Sequence, residues 1–301
     1  MEIQKDKSYV VGLGEVLWDV LPEGKQLGGA PANFAYHVTG LGLPGMVVSA
    51  IGSDELGDEI IASFEKKHME VLLERVPYPT GTVQVCVDAQ GIPCYEIKEQ
   101  VAWDYIPFTT KLEKLARSTS AVCFGSLAQR SETSRQTILA FLRAMPDRQG
   151  VYKIFDINLR QNFYTETTLF ASLAQCNVLK INDEELSCLQ SILGRAGSSM
   201  PDFCRHLLSE FQLEVLIVTC GVQGSYVFTP DYTSFLPTPQ VKVADTVGAG
   251  DSFTATFITT LLRGFSISEA HELAVQVSAY VCSQHGAMPK LPDTFVNKCC
   301  R

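Results

Sequence analysis

The sequence has no apolar stretch long enough to cross a membrane, and its opening MEIQKDKSYVVGLG lacks the apolar core of a signal peptide. A cytoplasmic location is the expectation. No dense block of lysine or arginine occurs, and the net charge is -9. Nucleic acid and anionic membranes both need a cationic surface, so neither is expected as a partner. The ten cysteines form no CxxC pair, which argues against a zinc site. They scatter among apolar neighbours and read as reduced, small core residues. Cys299 and Cys300 stand near the last residue, where fraying is expected, and take no role. His37, His68, His206, His271 and His285 show no metal-ligand spacing and read as surface or packing residues. No GxxxxGK[ST] loop and no HRD motif occur. A phosphate site in this chain must therefore be built another way.

What is present fits a large folded unit. The chain has 301 residues, 46% of them hydrophobic and 19% charged, enough for one α/β domain with a substantial core or for two small domains. No repeat, low-complexity tract or linker divides it, so residues 1–301 are expected to form one domain. Short apolar runs at Tyr9–Gly14, Met46–Ile51, Ala121–Phe124, Tyr152–Asp156, Val178–Ile181 and Val215–Thr219 read as strands. Most are continuous rather than alternating, as in a parallel sheet buried on both faces. Between them, Ala30–Leu41, Glu55–His68, Glu132–Met145 and Asp183–Leu193 read as helices. Phe253, Phe257, Ile258, Leu261 and Leu262 lie on one helical face, and Ala270, Leu273, Ala274, Val277 and Val281 on another. The alternation predicts a doubly wound α/β sheet. Two segments break the rhythm. Glu15–Leu27 is polar and turn-rich, and Thr82–Ile97 alternates about a turn containing Gly91, as a hairpin with one wet face would.

The stretch Asp245-Thr246-Val247-Gly248-Ala249-Gly250-Asp251-Ser252-Phe253 carries the most chemistry. A turn of small residues runs straight into an amphipathic helix. Glycine lets the backbone approach a ligand closely, and a helix N-terminus offers unpaired N–H groups and the positive end of a dipole. Gly248, Ala249 and Gly250 thus form a candidate phosphate cradle. Asp251, in the first turn, can take the proton of a hydroxyl that attacks phosphorus, while the N–H groups stabilise the transferring phosphoryl group. On this motif alone, an acid that merely complements the dipole explains Asp251 as well. A second glycine turn, Gly28-Gly29-Ala30-Pro31-Ala32-Asn33, opens another helix, with Pro31 suited to its first turn. Asn33 and the upstream Asp19 can bind sugar hydroxyls, though each alone also fits a cap or turn role.

Together, GGAPAN near the start and DTVGAGDSF about two hundred residues later resemble the two signature regions of the ribokinase-like (PfkB) carbohydrate kinases. IGSDELGD, with Gly52, Asp54 and Gly57, the Asn182-Asp183-Glu184-Glu185 run and Thr219-Cys220-Gly221-Val222-Gln223-Gly224 agree in order. GEVLWDVLPEGKQLGGAPANFAYH, QVAWDYI and FDINLRQNFY are similar to the fructokinases of that family. The resemblance spans nearly the whole chain. It implies a three-layer α/β/α sandwich with a mostly parallel central sheet and a small β lid, from segments near 15–27 and 82–107. It implies Asp251 as catalytic base and Gly248, Ala249 and Gly250 as anion hole. Asp19, Gly28, Gly29 and Asn33 would line the sugar, with Arg160 touching the substrate or the transferring phosphate. Asn182, Thr219, Gly221 and Gly224 would border ATP, and Glu185 would orient Mg²⁺ through water. Asp245, Val247 and Gly286 would lie at a K⁺ site.

The implied activity is ATP-dependent phosphorylation of a hydroxymethyl group on a small sugar, fructose first, with ribose or 2-keto-3-deoxygluconate as alternatives. A catalytically inactive sugar-binding regulator is the competing class, and the intact GAGD turn counts against it. A nicotinamide-dependent dehydrogenase is disfavoured, because GLGEVLW lacks the third glycine of the dinucleotide fingerprint and opens no helix. A homodimer formed through the lids is expected, because an exposed apolar hairpin face commonly marks an association surface. Trp18 and Trp103, both near the lid, are expected to pack rather than to wall the sugar.

Overall fold

Val10 and Val11 are neighbours in sequence, yet both are fully buried, in different apolar clusters. The same holds for Ala121 and Val122, Ile154 and Phe155, and Val178 and Leu179. Successive strand residues point to opposite faces. Each such strand is therefore covered on both sides, and that is why its sequence reads as one continuous apolar run.

The computed structural model describes residues 7–21, 24–87 and 93–300. The strands are β1 (Tyr9–Leu13), β2 (Leu17–Leu21), β3 (Gly24–Gly28), β4 (Gly45–Gly52), β5 (Glu70–Val76), β6 (Gly81–Val87), β7 (Pro93–Ile97), β8 (Thr119–Phe124), β9 (Tyr152–Asp156), β10 (Val178–Asn182), β11 (Val215–Thr219), β12 (Ser225–Phe228) and β13 (Thr233–Leu236). The helices are α1 (Ala30–Gly40), α2 (Glu55–Lys66), α3 (Thr110–Arg117), α4 (Glu132–Ala144), α5 (Glu166–Leu173), α6 (Asp183–Ile192), α7 (Met200–Glu210), α8 (Ala249–Leu262), α9 (Ile267–Cys282) and α10 (Asp293–Cys299).

Among the described residues, nine strands form the main sheet in the order β13-β12-β11-β10-β9-β8-β1-β4-β5. All neighbours are parallel except at β11–β12 and β12–β13. One face packs on α1, α8 and α9 through Phe34, Val38, Phe253, Phe257, Ala270 and Ala274. The other packs on α3 to α7 through residues such as Leu115, Phe141, Leu173, Leu189 and Phe203. This is the expected three-layer α/β/α sandwich. The chain runs outward from β1 to β4 and β5, then returns to β8 on the other side of β1. Open α/β sheets bind ligands outside the carboxyl ends of their strands at such a reversal.

A second sheet has the order β3-β2-β6-β7. Segment 15–27, expected as turn-rich polar chain, contributes the antiparallel pair β2 and β3, with Leu17 opposite Gly28 and Asp19 opposite Gln26. Much of β3 is exposed, so its Gly, Lys and Gln content hid the strand. β6 and β7 pair antiparallel as the hairpin reading required, but the turn at Gly91 lies outside the described residues. Leu17, Val83 and Ile97 are buried in the core of the main body. These three lid positions are therefore covered within the chain.

Both tryptophans pack. Trp103 is fully buried beneath the Arg130 guanidinium, 4.0 Å from the ring centre. Trp18 donates its Nε1–H to the carbonyl of Leu56 at 3.0 Å. Cys299 departs from the fraying expected near the last residue: it is fully buried in α10 against Leu41, Val277 and Val281.

Candidate active site

Helix α8 begins at Gly248, whose φ of 78° is the left-handed region. A Cβ there would lie 2.7 Å from the carbonyl oxygen of Ala287. Glycine is thus required twice, for the dihedral and for the close approach. The turn leaves Ala249 and Gly250 as the first residues of the helix, with no side chain capping their N–H groups. Asp251 follows in the same turn. Its Oδ2 accepts a hydrogen bond from Nδ2 of Asn33 at 2.8 Å. Loss of hydration pushes the Asp251 carboxyl up to about 6, and the Asp156 charge pushes the same way. The Asn33 hydrogen bond, Lys180 and Arg160 oppose the rise. At pH 7 about nine in ten of such groups are ionised. The carboxylate is a stronger proton acceptor than an ordinary aspartate and is still charged.

Asn33 reaches Asp251 because α1 starts at the glycine turn beside it. Gly29 has φ 111°, and a Cβ there would lie 2.3 Å from the carbonyl oxygen of Glu15. Asn33 is buried, and its Oδ1 has no partner. Opposite the small sheet's Gly28, a Cβ would fall 2.3 Å from Oδ2 of Asp19, so the missing side chain leaves room for that carboxylate. Burial alone pushes Asp19 up to about 6.

The sheet supplies the floor. Asp156 and Lys180 stand opposite each other on β9 and β10, and Nζ of Lys180 lies 3.0 Å from Oδ1 of Asp156 with both side chains nearly buried. A Cβ on Gly250 would meet that ammonium at 3.0 Å. A fixed positive charge thus lies directly under the cradle. Beside it, Asn182 and Glu185 close a reciprocal cap on α6. Oδ1 of Asn182 accepts from the Glu185 N–H at 2.7 Å, and Oε2 of Glu185 accepts from the Asn182 N–H at 3.0 Å. Oε1 of Glu185 accepts from the Leu159 N–H at 2.9 Å and so fixes the loop that carries Arg160. Arg160 is exposed, and its charge lowers the pKa of both Glu15 and Asp251.

Thr219 pairs with Asn182 in the β10–β11 register. The single turn Gly221–Gln223 follows, and a Cβ on Gly224 would lie 2.4 Å from the Leu236 carbonyl oxygen. Thr238 ties the next loop to this turn by donating to the Gly221 carbonyl at 2.6 Å. Asp245 gathers the two remaining positions: its Oδ1 accepts from the Val247 N–H at 3.0 Å and its Oδ2 from the Gly286 N–H at 3.1 Å. Among the described residues, no three His, Cys, Asp or Glu side chains cluster as a metal site.

The structure thus brings Asp251, the Gly248–Gly250 turn and Asn33 together, with Arg160 near in charge and the Asn182–Glu185 cap along one strand edge. Sequence reasoning passed over three residues of this cluster: Glu15, Asp156 and Lys180. Lys180 had a signal, as the one charge inside the apolar run VLKIN. Asp156 ends β9 and Glu15 follows β1, at the carboxyl ends of two central strands.

Comparison with known proteins agrees with this geometry. The model of the pfkB family carbohydrate kinases matches residues 14–294. An ATP-dependent 6-phosphofructokinase of Thermoanaerobacterium thermosaccharolyticum is 26% identical, over 96% of this chain and 92% of that protein. A fructokinase of Klebsiella pneumoniae is 28% identical, over 93% of this chain and 95% of that protein. The crystal structure of a fructokinase with bound ATP from Xylella fastidiosa superposes with a TM-score of 0.81 at 22% identity, covering 99% of this chain and 98% of the other. That likeness is one of fold, and the family match extends it to chemistry. The chain belongs to the pfkB family of carbohydrate kinases, phosphotransferases whose acceptor is an alcohol group.

Proposed function

We propose that the protein transfers the γ-phosphate of ATP to a hydroxymethyl group of a small sugar, with fructose the first candidate. The observation that carries this reading is the Asp251 carboxylate, held by Asn33 in the same helical turn as the backbone N–H groups of Ala249 and Gly250, which no side chain caps. Asp251 would take the proton of the hydroxyl as its oxygen attacks the γ-phosphorus and the bond to ADP breaks. The N–H groups of the turn, with Lys180 beneath them, would hold the negative charge spread over the transferring phosphoryl oxygens.

Asp19, Gly28, Gly29 and Asn33 would line the sugar, and the small sheet would close over it as a lid that excludes water. Arg160 would reach the substrate or the phosphate from the exposed side. Asn182, Thr219, Gly221 and Gly224 would border the nucleotide. Exposed Val222, next to Gly221 in the chain, and exposed Val241 and Val243, which follow Thr238, would offer the adenine an apolar wall.

Both oxygens of Glu185 already accept backbone N–H groups. The carboxylate therefore fits an outer role toward Mg²⁺, through water, better than direct ligation. When bound, Mg²⁺ would neutralise charge on the phosphates. Asp245, Val247 and Gly286 would lie at a K⁺ site; both Asp245 oxygens already accept N–H groups, so backbone carbonyls of these loops would supply most of its ligands. Its check is activity that rises when K⁺ replaces a large organic cation at constant ionic strength.

The test of the main reading is ADP release with Mg-ATP and a panel of fructose, ribose, 2-keto-3-deoxygluconate and fructose 6-phosphate. Fructose is expected to give the highest kcat/KM. Turnover of another sugar instead would leave only the family assignment. Binding of sugars without any turnover would favour an inactive sugar-binding regulator.

A further inference from the structure

Two buried side-chain oxygens near Asp251 have no hydrogen-bond partner: Oδ1 of Asn33 and Oε2 of Glu15. Glu15 follows β1, an interior strand of the main sheet, and is only 3% exposed. Its carboxylate faces the backbone N–H groups of Glu15 itself and of Ala30, the first residue of α1. Helix α1 has no side-chain cap of its own, so Glu15 stands off its positive end. One turn further along the same helix is Asn33, whose Nδ2 is committed to Asp251. The charges of Asp251 and Arg160 are both felt at Glu15. The two unpartnered oxygens thus flank the base, one on the helix and one at its start.

An unpartnered polar atom in a buried site is costly, and the cost is removed only when a complementary group arrives. The amide oxygen of Asn33 can only accept, and an ionised Glu15 can only accept. Whatever completes them must bring hydrogens. Sugar hydroxyls do, while phosphate or carboxylate oxygens would set a second anion against buried Glu15.

We propose that Glu15 is a specificity-determining residue for the acceptor: its Oε2, together with Oδ1 of Asn33, accepts hydrogen bonds from hydroxyls next to the one that is phosphorylated. The inference rests on the sugar-kinase reading above. It commits this end of the cleft to an uncharged, hydroxyl-bearing part of the substrate. Burial, reinforced by the Asp251 charge, holds the Glu15 carboxyl up to about 7. A donated hydroxyl would stabilise its ionised form, so the site is primed for such a partner.

The experiment compares the wild type with Glu15→Gln, using the best sugar of the panel and its monodeoxy analogues, each lacking one hydroxyl. In the wild type, one analogue is expected to lose about 10- to 100-fold in kcat/KM, the size of a hydrogen bond to a charged group. In Glu15→Gln the sugar KM should rise about tenfold or more, with KM for ATP unchanged. Discrimination against that one analogue should shrink to below about threefold, and discrimination against the others should persist. A uniform fall in kcat on every sugar, with wild-type discrimination intact, overturns the proposal and leaves Glu15 as a brace for α1. Should Glu15→Gln lose its cooperative unfolding transition, Glu15→Asp, which withdraws the oxygen by one methylene, enters the same comparison with the same two outcomes. If the wild type turns over no sugar, the kinase reading itself fails and this proposal with it, a result distinct from intact discrimination in the variant.

Discussion

Asn33 and Asp251 are 218 positions apart in the chain and joined by a 2.8 Å hydrogen bond. The two glycine turns that open α1 and α8 are therefore parts of one site. The bond also orients the Asp251 carboxylate, leaving its other oxygen for a proton.

Asp251→Asn keeps the shape of the side chain and removes its basicity. We expect kcat to fall by roughly 10²–10⁴ while sugar and ATP binding stay near wild type. Steady-state rates and calorimetric titration of each ligand check this. Retention of more than about a tenth of the wild-type kcat would take the base role away from Asp251.

The acid limb of the pH–rate profile should report the same group. Asp251 must be ionised to accept a proton, so kcat at saturating sugar should decline as pH falls through about 6, whereas kcat/KM also reports Glu15 and Asp19. Lys180 is one of the charges that oppose the rise in its pKa. Lys180→Met removes that cation, so the limb should move to higher pH. A limb that stays in place in a variant with a cooperative melt would separate Lys180 from Asp251.

Gly248→Ala tests the cradle. A left-handed dihedral costs a residue with a Cβ roughly 1–2 kcal/mol, and here the Cβ would also meet the Ala287 carbonyl. The melting temperature should drop by several degrees, and kcat should fall more than the sugar KM changes. Gly264→Ala is the control. Its φ of 82° carries the same backbone cost, but no atom lies within 4 Å of an added Cβ. Equal losses of kcat in the two variants would remove the cradle from the explanation.

His271 lies fully buried between Ser225 and Ser234, 2.8 Å from each hydroxyl. Burial pushes its pKa down to about 4, below the ordinary value near 6.5. The unfolded chain therefore binds the extra proton first. Its contribution to stability is complete above about pH 6.5 and is lost as pH falls to about 4, on the order of 3 kcal/mol. Glu15, Asp19 and Asp251 have raised pKa values and act with the opposite sign in part of that window. The readout is therefore a difference: the stability gap between wild type and His271→Asn should narrow between pH 7.5 and 4.5. A constant gap in urea unfolding across that range would count against a neutral buried His271.

Much of this was legible in the sequence because the physics was local. A strand covered on both faces must be apolar throughout, so Val178–Ile181 and Val215–Thr219 announced themselves. A glycine turn opening a helix is likewise a local pattern, and it marked both ends of the Asn33–Asp251 bond. The hairpin of β2 and β3 was not legible in the residue pattern, and only the family resemblance put 15–27 in the lid, because its exposed strand needs no apolar residues and its pairing is set by β6, more than fifty positions away. β12 and β13 escaped for a related reason: they are short antiparallel additions at the sheet's edge. Glu15, Asp156 and Lys180 gain meaning only from neighbours on other strands. A lone charge inside VLKIN is odd in sequence, but nothing there says that Asp156 lies beside it. Cys299 was misjudged because position in the chain stood in for burial, while α10 docks against α9 through Phe295 and Tyr280.

The placement of β1 between β4 and β8 also has a temporal side. β1 is an interior strand, and its β8 neighbour is translated more than a hundred residues later. At about 5–20 residues per second, β1 waits several seconds for that edge to be covered. Asp251 emerges later still. A nascent or prematurely terminated chain can thus hold β1, β4 and the Asn33 helix while lacking Asp251 and the turn that opens α8, so a stalled ribosome would carry a fragment with an incomplete site and an open sheet edge. Its hazard to the cell would be aggregation rather than unregulated consumption of phosphoryl donor.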